Sequence, residues 1–315
     1  MRAVRIHELI GPKGLRVDEL EAPSPSVGEV QISVHAAGVN FPEVLLSYGK
    51  YQFKPEPPFI PGGEAAGVVS ALGDGVETLA VGDRVVVTMI NGAFAEKIVV
   101  PELAAVKLPP AVDFNVGAVT LLTYATTYHA LVDRAQLKAG ETLLVLGAAG
   151  GVGVAAIQLG KLLGARVIAA ASTPEKIAFC RQMGADEGIN YGAEDLKEQV
   201  KTLTGGDGAN VIYDPVGGSY SELALRAIAW EGRFLVVGFA AGDIPKIPLN
   251  LVLLKGCQIL GVFWGSFAMR EVMKNRSNTE RILQWVSEGK LKPHVDCTIP
   301  FSRGSEALER LERPR

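Results

Sequence analysis

Thr142-Leu143-Leu144-Val145-Leu146-Gly147-Ala148-Ala149-Gly150-Gly151-Val152-Gly153-Val154-Ala155-Ala156 decides the architecture of this chain. The unbroken apolar run reads as a buried strand, the glycines as a tight turn and the Val/Ala run as the start of a helix. A strand that enters a glycine-rich turn opening a helix is the setting a dinucleotide fingerprint requires. Glycines let the backbone approach a pyrophosphate, whose charge the helix N-terminus favours. The spacing is G-x-x-G-x-x-G through Gly147, Gly150 and Gly153, with Gly151 added, a departure from the strict G-x-G-x-x-G form. The same turn also fits a tight βα connection that needs positive φ and binds nothing. Cofactor binding is favoured because further strand–helix units follow.

Working outward toward the C-terminus, strands are expected at Arg166 to Ala171, Asn210 to Asp214 and Gly232 to Val237. Helices are expected at Gly151 to Leu163, Pro174 to Met183 and Tyr220 to Trp230, with another from Asn278 to Ser287. Such alternation means βαβ units and a parallel sheet. Gln258 to Phe263 reads as a strand near the sheet edge, and Val295 to Ile299 as a strand rejoining the first domain. Glu309 to Arg315 is helical in character.

Toward the N-terminus, Asp113 to Val132 is rich in Ala, Leu and Thr and reads as one helix. Before it the chain is β. Val30 to Ala36, Gly67 to Leu72, Asp83 to Thr88 and Ala93 to Val100 are short strands separated by Gly- and Pro-containing turns. Many short strands of this kind suggest a barrel-like or sandwich-like domain.

The end of the second βα strand bears on which dinucleotide fits. NAD-binding proteins usually carry an acid there to hold the ribose 2′-hydroxyl. Here the strand ends Ala169-Ala170-Ala171-Ser172-Thr173-Pro174-Glu175-Lys176, with no acid at Ala171 or Ser172. A carboxylate would repel a 2′-phosphate, so its absence permits NADP. Ser172 can donate a hydrogen bond and Lys176 can supply the opposing charge. Thr173 also reads as an N-cap with Pro174 as the first helical residue, which leaves Lys176 as a surface charge. Both readings can hold together.

Composition narrows the function classes. The chain has 315 residues, 48% hydrophobic and 21% charged, with a net charge of −3. That length suits about two domains, and the composition rules out a disordered chain. No clustered basic surface is evident, so nucleic acid is not expected as a partner. No apolar run is long enough for a membrane span, and Met1 to Glu8 does not read as a secretory leader. Cys180, Cys257 and Cys297 are far apart and cannot form a disulfide framework, which makes the reducing cytoplasm the default compartment. His7, His35, His129 and His294 show no metal-ligand spacing, so no zinc site is expected.

Taken in order, these stretches resemble the medium-chain dehydrogenase/reductase superfamily, in its zinc-free quinone oxidoreductase, zeta-crystallin-like branch. The resemblance spans nearly the whole chain. It rests on Gly38-Val39-Asn40-Phe41, Pro61-Gly62-Gly63-Glu64-Ala65-Ala66-Gly67 and Val81-Gly82-Asp83-Arg84-Val85. It continues through Leu122-Thr123-Tyr124-Ala125-Thr126, the Gly150 turn, Gly184-Ala185-Asp186, Asp214-Pro215-Val216-Gly217-Gly218 and Val237-Gly238-Phe239 to Gly261-Val262-Phe263-Trp264-Gly265.

The resemblance implies an α/β protein. A GroES-like β-rich catalytic domain would span 1–115 with 265–315, and a Rossmann doubly wound parallel sheet would span 116–264 and bind NADPH. By similarity, a zinc alcohol dehydrogenase would place a Cys at Asn40 and a His at Gly63. Neither residue here binds zinc in that way, so no metal is expected. Gly150, Gly151 and Val152 would face the pyrophosphate, and Ser172, Lys176 and Tyr191 would line the 2′-phosphate. Asn40, Thr126, Gly238, Phe239, Phe263 and Trp264 would lie near the nicotinamide. Tyr191 and Phe239 fit ordinary packing as well. The family normally ends in a Gly-Lys-containing strand that touches the cofactor. Nothing at the end of this sequence matches it, and no contact is assigned there.

The chemistry so implied is hydride transfer from NADPH to a small electron-poor acceptor, a quinone or an activated enone. Asn40 would orient nicotinamide or substrate, and Tyr51 would be the proton donor, with Tyr48 its competitor. Glu64 is expected to be structural. Two other readings stand beside this one. An enoyl-thioester reductase would use Lys50, Lys54 and Arg270 at its entrance. A non-enzymatic NADPH-binding protein is the other, as lens crystallins of this branch illustrate. Edge-strand pairing through the stretch from Gln258 to Phe263, and the resemblance, lead us to expect a homodimer.

Overall fold

The computed structural model describes Met1 to Glu312 and separates into two units. Among the described residues, the first comprises Met1–Leu122, Glu271–Gly289 and residues 293–312; the second comprises Thr123–Arg270 with Lys290–Lys292. No helix among the described residues is long and apolar enough to cross a membrane.

In the first unit, β1 (Arg2–Ile6) and β2 (Leu15–Glu19) form an antiparallel pair. A five-stranded antiparallel sheet follows, in the order β6-β3-β4-β5-β7. Its strands are β3 (Glu29–Ala37), β4 (Glu64–Leu72), β5 (Arg84–Thr88), β6 (Lys97–Pro101) and β7 (Ala105–Lys107). α1 (Phe41–Ser47) links β3 to β4. Strand β3 is flanked by β4 and β6, so Val30, Gln31 and Ile32 are buried in succession. The pairing of β3 with β4 has a functional consequence. Antiparallel strands bring the end of one beside the start of the other, and here Ala37 pairs with Ala65. Gly38-Val39-Asn40 is thereby delivered to Pro61-Gly62-Gly63-Glu64, and the Gly38 N–H donates to the Glu64 carbonyl.

The segment expected as one helix over 113–132 is not continuous. It forms α2 (Phe114–Ala118), a π-helical turn over Leu121–Ala125, the short α3 (Thr126–Tyr128) and a second π-helical turn over His129–Arg134. A π turn closes its hydrogen bonds one residue wider than an α-helix, as Ala135 N–H to the Ala130 carbonyl does at 2.8 Å.

The second unit carries a six-stranded parallel sheet in the order β10-β9-β8-β11-β12-β13. Its elements are β8 (Thr142–Val145), α4 (Gly151–Leu162), β9 (Arg166–Ala171), α5 (Pro174–Gln182), β10 (Glu187–Asn190), α6 (Leu196–Leu203) and β11 (Ala209–Asp214). They are followed by α7 (Ser219–Arg226), β12 (Ile228–Val236), α8 (Leu249–Lys255), β13 (Gln258–Gly261) and α9 (Trp264–Arg270). The first three strands run outward from β8 and the next three outward from β11 on its other side. This is the doubly wound order, and its switch point lies between β8 and β11. Strands covered on both faces are apolar throughout, and Leu143, Leu144 and Val145 are fully buried. β13 stands at an edge, as its sequence suggested.

Three further expectations need correction. The helix expected to run to Trp230 ends at Arg226, and Trp230 lies exposed within β12. The β-branched and aromatic residues from Ile228 pair with β11 and β13 instead. The strand expected from Ala93 begins at Lys97, with Ala95 making only an isolated bridge to Ala3. Val295 to Ile299 is not a strand. It carries no regular secondary structure between Pro293 and Pro300 and joins no sheet. After α10 (Val272–Ser287), the last element is α11 (Gly304–Glu312), which buries Leu308 in the first unit's core beside Val4 and Ile6.

Candidate active site

Expected site residues occur in both units. In the second unit, β8 runs into Gly147, whose φ of +57° is the left-handed region that favours glycine. Gly150 caps α4 without a side-chain hydrogen bond, and the first turn of α4 holds no acidic residue. The helix N-terminus therefore presents backbone N–H groups and a positive dipole end to whatever lies before it. Gly153 lets α4 pack close, because a Cβ there would stand 2.5 Å from the Gly147 carbonyl oxygen and 2.6 Å from that of Ala148. A Cβ on Gly147 would stand 2.8 Å from Val216, so the turn after β8 meets the turn after β11 at the switch point. Ligands of doubly wound sheets bind at that place.

Ser172, Lys176 and Tyr191 are brought together. Thr173 caps α5 by accepting the Lys176 N–H. One turn of helix then carries the Lys176 ammonium back to Ser172 Oγ, 2.7 Å away. Tyr191 follows β10, its N–H donates to the Ala171 carbonyl, and its ring packs on Tyr220 at 4.3 Å. The Ser172 hydroxyl keeps its proton for a further acceptor. A cation, a hydroxyl and an aromatic edge, with no carboxylate at the strand end, make a donor set that suits a phosphate.

Gly238 and Phe239 follow β12, and sequence reading missed what holds them. The buried Asp214 carboxylate accepts from Val216 N–H at 2.8 Å, Gly217 N–H at 2.9 Å and Ser221 Oγ at 2.5 Å. Its backbone carbonyl accepts from Val237 and Gly238. Asp214 thus ties the turn after β11 to the segment after β12. Phe239 and Phe263 are exposed, and half-buried Trp264 opens α9. Half-buried Thr126 precedes Thr127, whose Oγ1 lies 3.4 Å from the Val152 carbonyl and 2.9 Å from the buried Tyr213 hydroxyl.

In the first unit, Asn40 is the N-cap of α1. Its side-chain Nδ2 donates to Glu64 Oε1 at 2.8 Å, and Glu64 Oε2 accepts the Leu122 N–H at 2.9 Å. Glu43 accepts the Asn40 N–H at 2.8 Å and the Gly63 N–H at 2.9 Å. Both carboxyl groups are buried. Burial pushes Glu43 up to about 7 and Glu64 up to about 8, and Glu43's negative charge adds to the shift at Glu64. Glu64 was expected to be structural, and its hydrogen bonds hold Asn40 and the chain at Leu122. Glu43 was missed. Its signal was the spacing Asn40-Phe41-Pro42-Glu43, in which an N-cap is followed three residues later by a Glu that reaches back to it.

Tyr51 is half-buried against the first unit's core. Burial, then the charge of Glu43, raise its hydroxyl above the usual tyrosine value. Tyr48 donates its hydroxyl to Glu312 Oε1 at 2.5 Å. Among the described residues, no group of three or more His, Cys, Asp or Glu suits a metal ion.

Residues 26–110 match the Alcohol dehydrogenase GroES-like domain family, and residues 151–286 match the Zinc-binding dehydrogenase family. The chain is 38% identical over 311 residues to quinone oxidoreductase-like protein 2 homolog of Nematostella vectensis, covering 98% of this chain and 85% of that protein. It is 34% identical over 313 residues to human quinone oxidoreductase, covering 99% and 94%. Among solved structures, Escherichia coli quinone oxidoreductase complexed with NADPH superposes with a TM-score of 0.91 at 30% identity, covering 99% of this chain and 96% of that one.

Proposed function

Since the chain belongs to the quinone oxidoreductase branch of the medium-chain dehydrogenase/reductase family, we propose that it is an NADPH-dependent oxidoreductase that delivers hydride to a quinone or a similarly electron-poor acceptor without a metal. The observation that carries this reading is the Lys176–Ser172 pair, 2.7 Å apart at the end of β9, where an NAD-binding chain places an acid. The glycine cradle at Gly150, Gly151 and Val152 fits a pyrophosphate for the reasons of shape and dipole given above.

When bound, NADPH supplies the hydride. The protein's own groups hold, orient and protonate. The α4 N-terminus and Lys176 neutralise phosphate charge. Thr126, Gly238, Phe239, Phe263 and Trp264 would flank the nicotinamide. Asn40 has one amide hydrogen committed to Glu64 and its Oδ1 engaged in the α1 capping box with Glu43, so its second amide hydrogen is the group that would orient nicotinamide or acceptor. The acceptor oxygen that gains negative charge would take a proton from the half-buried Tyr51 hydroxyl, which solvent then reprotonates. Quinones suit such a site because two conjugated carbonyls are already electrophilic, whereas a simple carbonyl needs Lewis-acid help. Asn40 and Gly63 carry neither thiolate nor imidazole, which supports the metal-free reading.

β13 leaves a sheet edge unpaired, and α8 beside it exposes Leu249, Leu253 and Leu254. A second copy of this chain, pairing about a two-fold axis, covers both features. Cys180 and Cys257 are buried as thiols and Cys297 is exposed, in keeping with a reducing cytoplasm.

The test is the initial rate of NADPH oxidation with 1,4-benzoquinone and, in parallel, with crotonyl-CoA, with NADH in matched wells. Quinone turnover with NADPH alone is expected. Thioester turnover without quinone turnover overturns the assignment in favour of an enoyl-thioester reductase. NADPH binding without turnover of either returns the weight to a non-enzymatic binding protein.

A further inference from the structure

The π-helical turn His129–Arg134 touches the chain on both sides of Phe263 and Trp264. On one side, Arg134 Nε donates to the Gly261 carbonyl at 3.1 Å. On the other, the buried His129 ring stacks on Phe267, with centroids 4.0 Å apart and planes within 17°. Phe267 belongs to the first turn of α9, and its N–H donates to the Phe263 carbonyl at 3.2 Å. His129 is itself oriented, since its Nδ1 lies 2.9 Å from Asp133 Oδ2.

The wide turn makes this double contact possible. His129 and Arg134 are five residues apart, and at 3.6 residues per turn they would point about 140° from one another. A turn closed by i→i+5 hydrogen bonds sets residues of that spacing on one side. The bond from Ala135 N–H to the Ala130 carbonyl is of that kind.

We propose that His129 and Arg134 are positioning residues that hold Phe263 and Trp264 in place, so that the π-helical turn sets the geometry of the nicotinamide-flanking segment. The proposal rests on the assignment of Phe263 and Trp264 to the nicotinamide. Arg134 fixes the exit from β13, His129 fixes the start of α9, and the two aromatic residues lie between these anchors. Neither positioning residue needs to touch the cofactor.

The test compares His129→Ala, Arg134→Ala and Arg134→Lys with the wild type. The NADPH dissociation constant is read from nicotinamide fluorescence without an acceptor, and kcat is read at saturating NADPH. Circular dichroism checks that each variant is folded. Both alanine variants are expected to weaken NADPH binding about 2- to 30-fold and to lower kcat. Arg134→Lys is expected to recover most of the loss, because an ammonium can still donate to the Gly261 carbonyl. The double alanine variant is expected to lose less than the product of the single losses, because both anchors act on one segment. Folded alanine variants with unchanged binding and kcat overturn the proposal, as does Arg134→Lys behaving like Arg134→Ala. A wild type that binds NADPH but turns over no quinone defeats the activity assignment alone, because the binding arm still reports on the anchors. A wild type that does not bind NADPH overturns both.

Discussion

The Asn40 side-chain amide donates to Glu64 Oε1 across 2.8 Å, so a residue expected beside the nicotinamide is held by a buried carboxyl group. Asn40→Ala leaves that oxygen without its donor. The expected cost is about 1–3 kcal/mol of stability, measured by denaturant unfolding. Activity should fall more than NADPH binding, because the substitution removes an orienting group and leaves the phosphate-binding turn intact. Equal kcat in the variant and wild type would remove Asn40 from the mechanism.

Glu43 and Glu64 make stability depend on pH in a direction opposite to that of most carboxylates. Their folded values, about 7 and about 8, lie above the ordinary 4.5 of an exposed glutamate. As pH rises past 4.5 the unfolded chain releases these protons first, so the folded state binds more protons and loses stability as pH climbs to about 8. The melting temperature should therefore fall between pH 5.5 and 8.5, roughly across that window. Glu64→Gln should flatten the decline, and a Gln variant whose curve runs parallel to the wild type's would assign the effect elsewhere.

Lys176→Ala should narrow the preference for NADPH over NADH. A charge-assisted hydrogen bond of about 1.5–3 kcal/mol corresponds to about 10- to 100-fold in kcat/KM for the phosphorylated coenzyme. The NADH value should barely change. Equal losses with both coenzymes would mean that Lys176 supports the fold and does not read the 2′-phosphate.

Gly153→Ala tests the packing of α4. The added Cβ would meet the Gly147 and Ala148 carbonyl oxygens at 2.5 and 2.6 Å. Overpacking of about 1–3 kcal/mol should exceed the helix-propensity gain of about 1 kcal/mol. Calorimetry should show a lower melting temperature, and fluorescence titration should show weaker NADPH binding.

Leu253→Glu tests assembly. Leu253 is 79% exposed on α8, so the fold should tolerate the charge while a pairing between copies should not. Sedimentation velocity is expected to give a dimer for the wild type and a monomer for the variant. A wild-type monomer would reject the pairing outright.

The second unit was the more legible in sequence because its signals are local. A buried strand, a glycine turn and a helix start lie within one short stretch, and the absence of an acid at Ala171 and Ser172 can be read without knowing any contact. The first unit's site was only half legible. Asn40 and Glu64 appear as motif residues, but their hydrogen bond depends on β3 pairing with β4, a long-range event. Glu43 carried a short-range signal in its N-cap spacing. Asp214 carried a local one too, since an Asp before Pro-Val-Gly-Gly suits a turn in which its carboxylate accepts the N–H two residues on. The stack of His129 on Phe267 carried none, because those two segments approach only in the folded chain. The helix expected over 113–132 shows the limit of composition. Its residues favour helix, yet nothing in a propensity scale distinguishes an α turn from the π turns at Leu121–Ala125 and His129–Arg134.

The first unit's discontinuity governs when it can form during synthesis. Leu308 on α11 shares a core with Ala3, Val4 and Ile6, and α10 contributes Leu283 to a cluster with Val86 and Val106. The N-terminal strands leave the ribosome long before these partners exist, whereas the segment from Thr123 to Arg270 emerges with its whole parallel sheet. Domains usually complete in the order they are made, and here that order is reversed. The nascent β-rich unit keeps an open core until α10 and α11 emerge, after the whole dinucleotide-type sheet has been made.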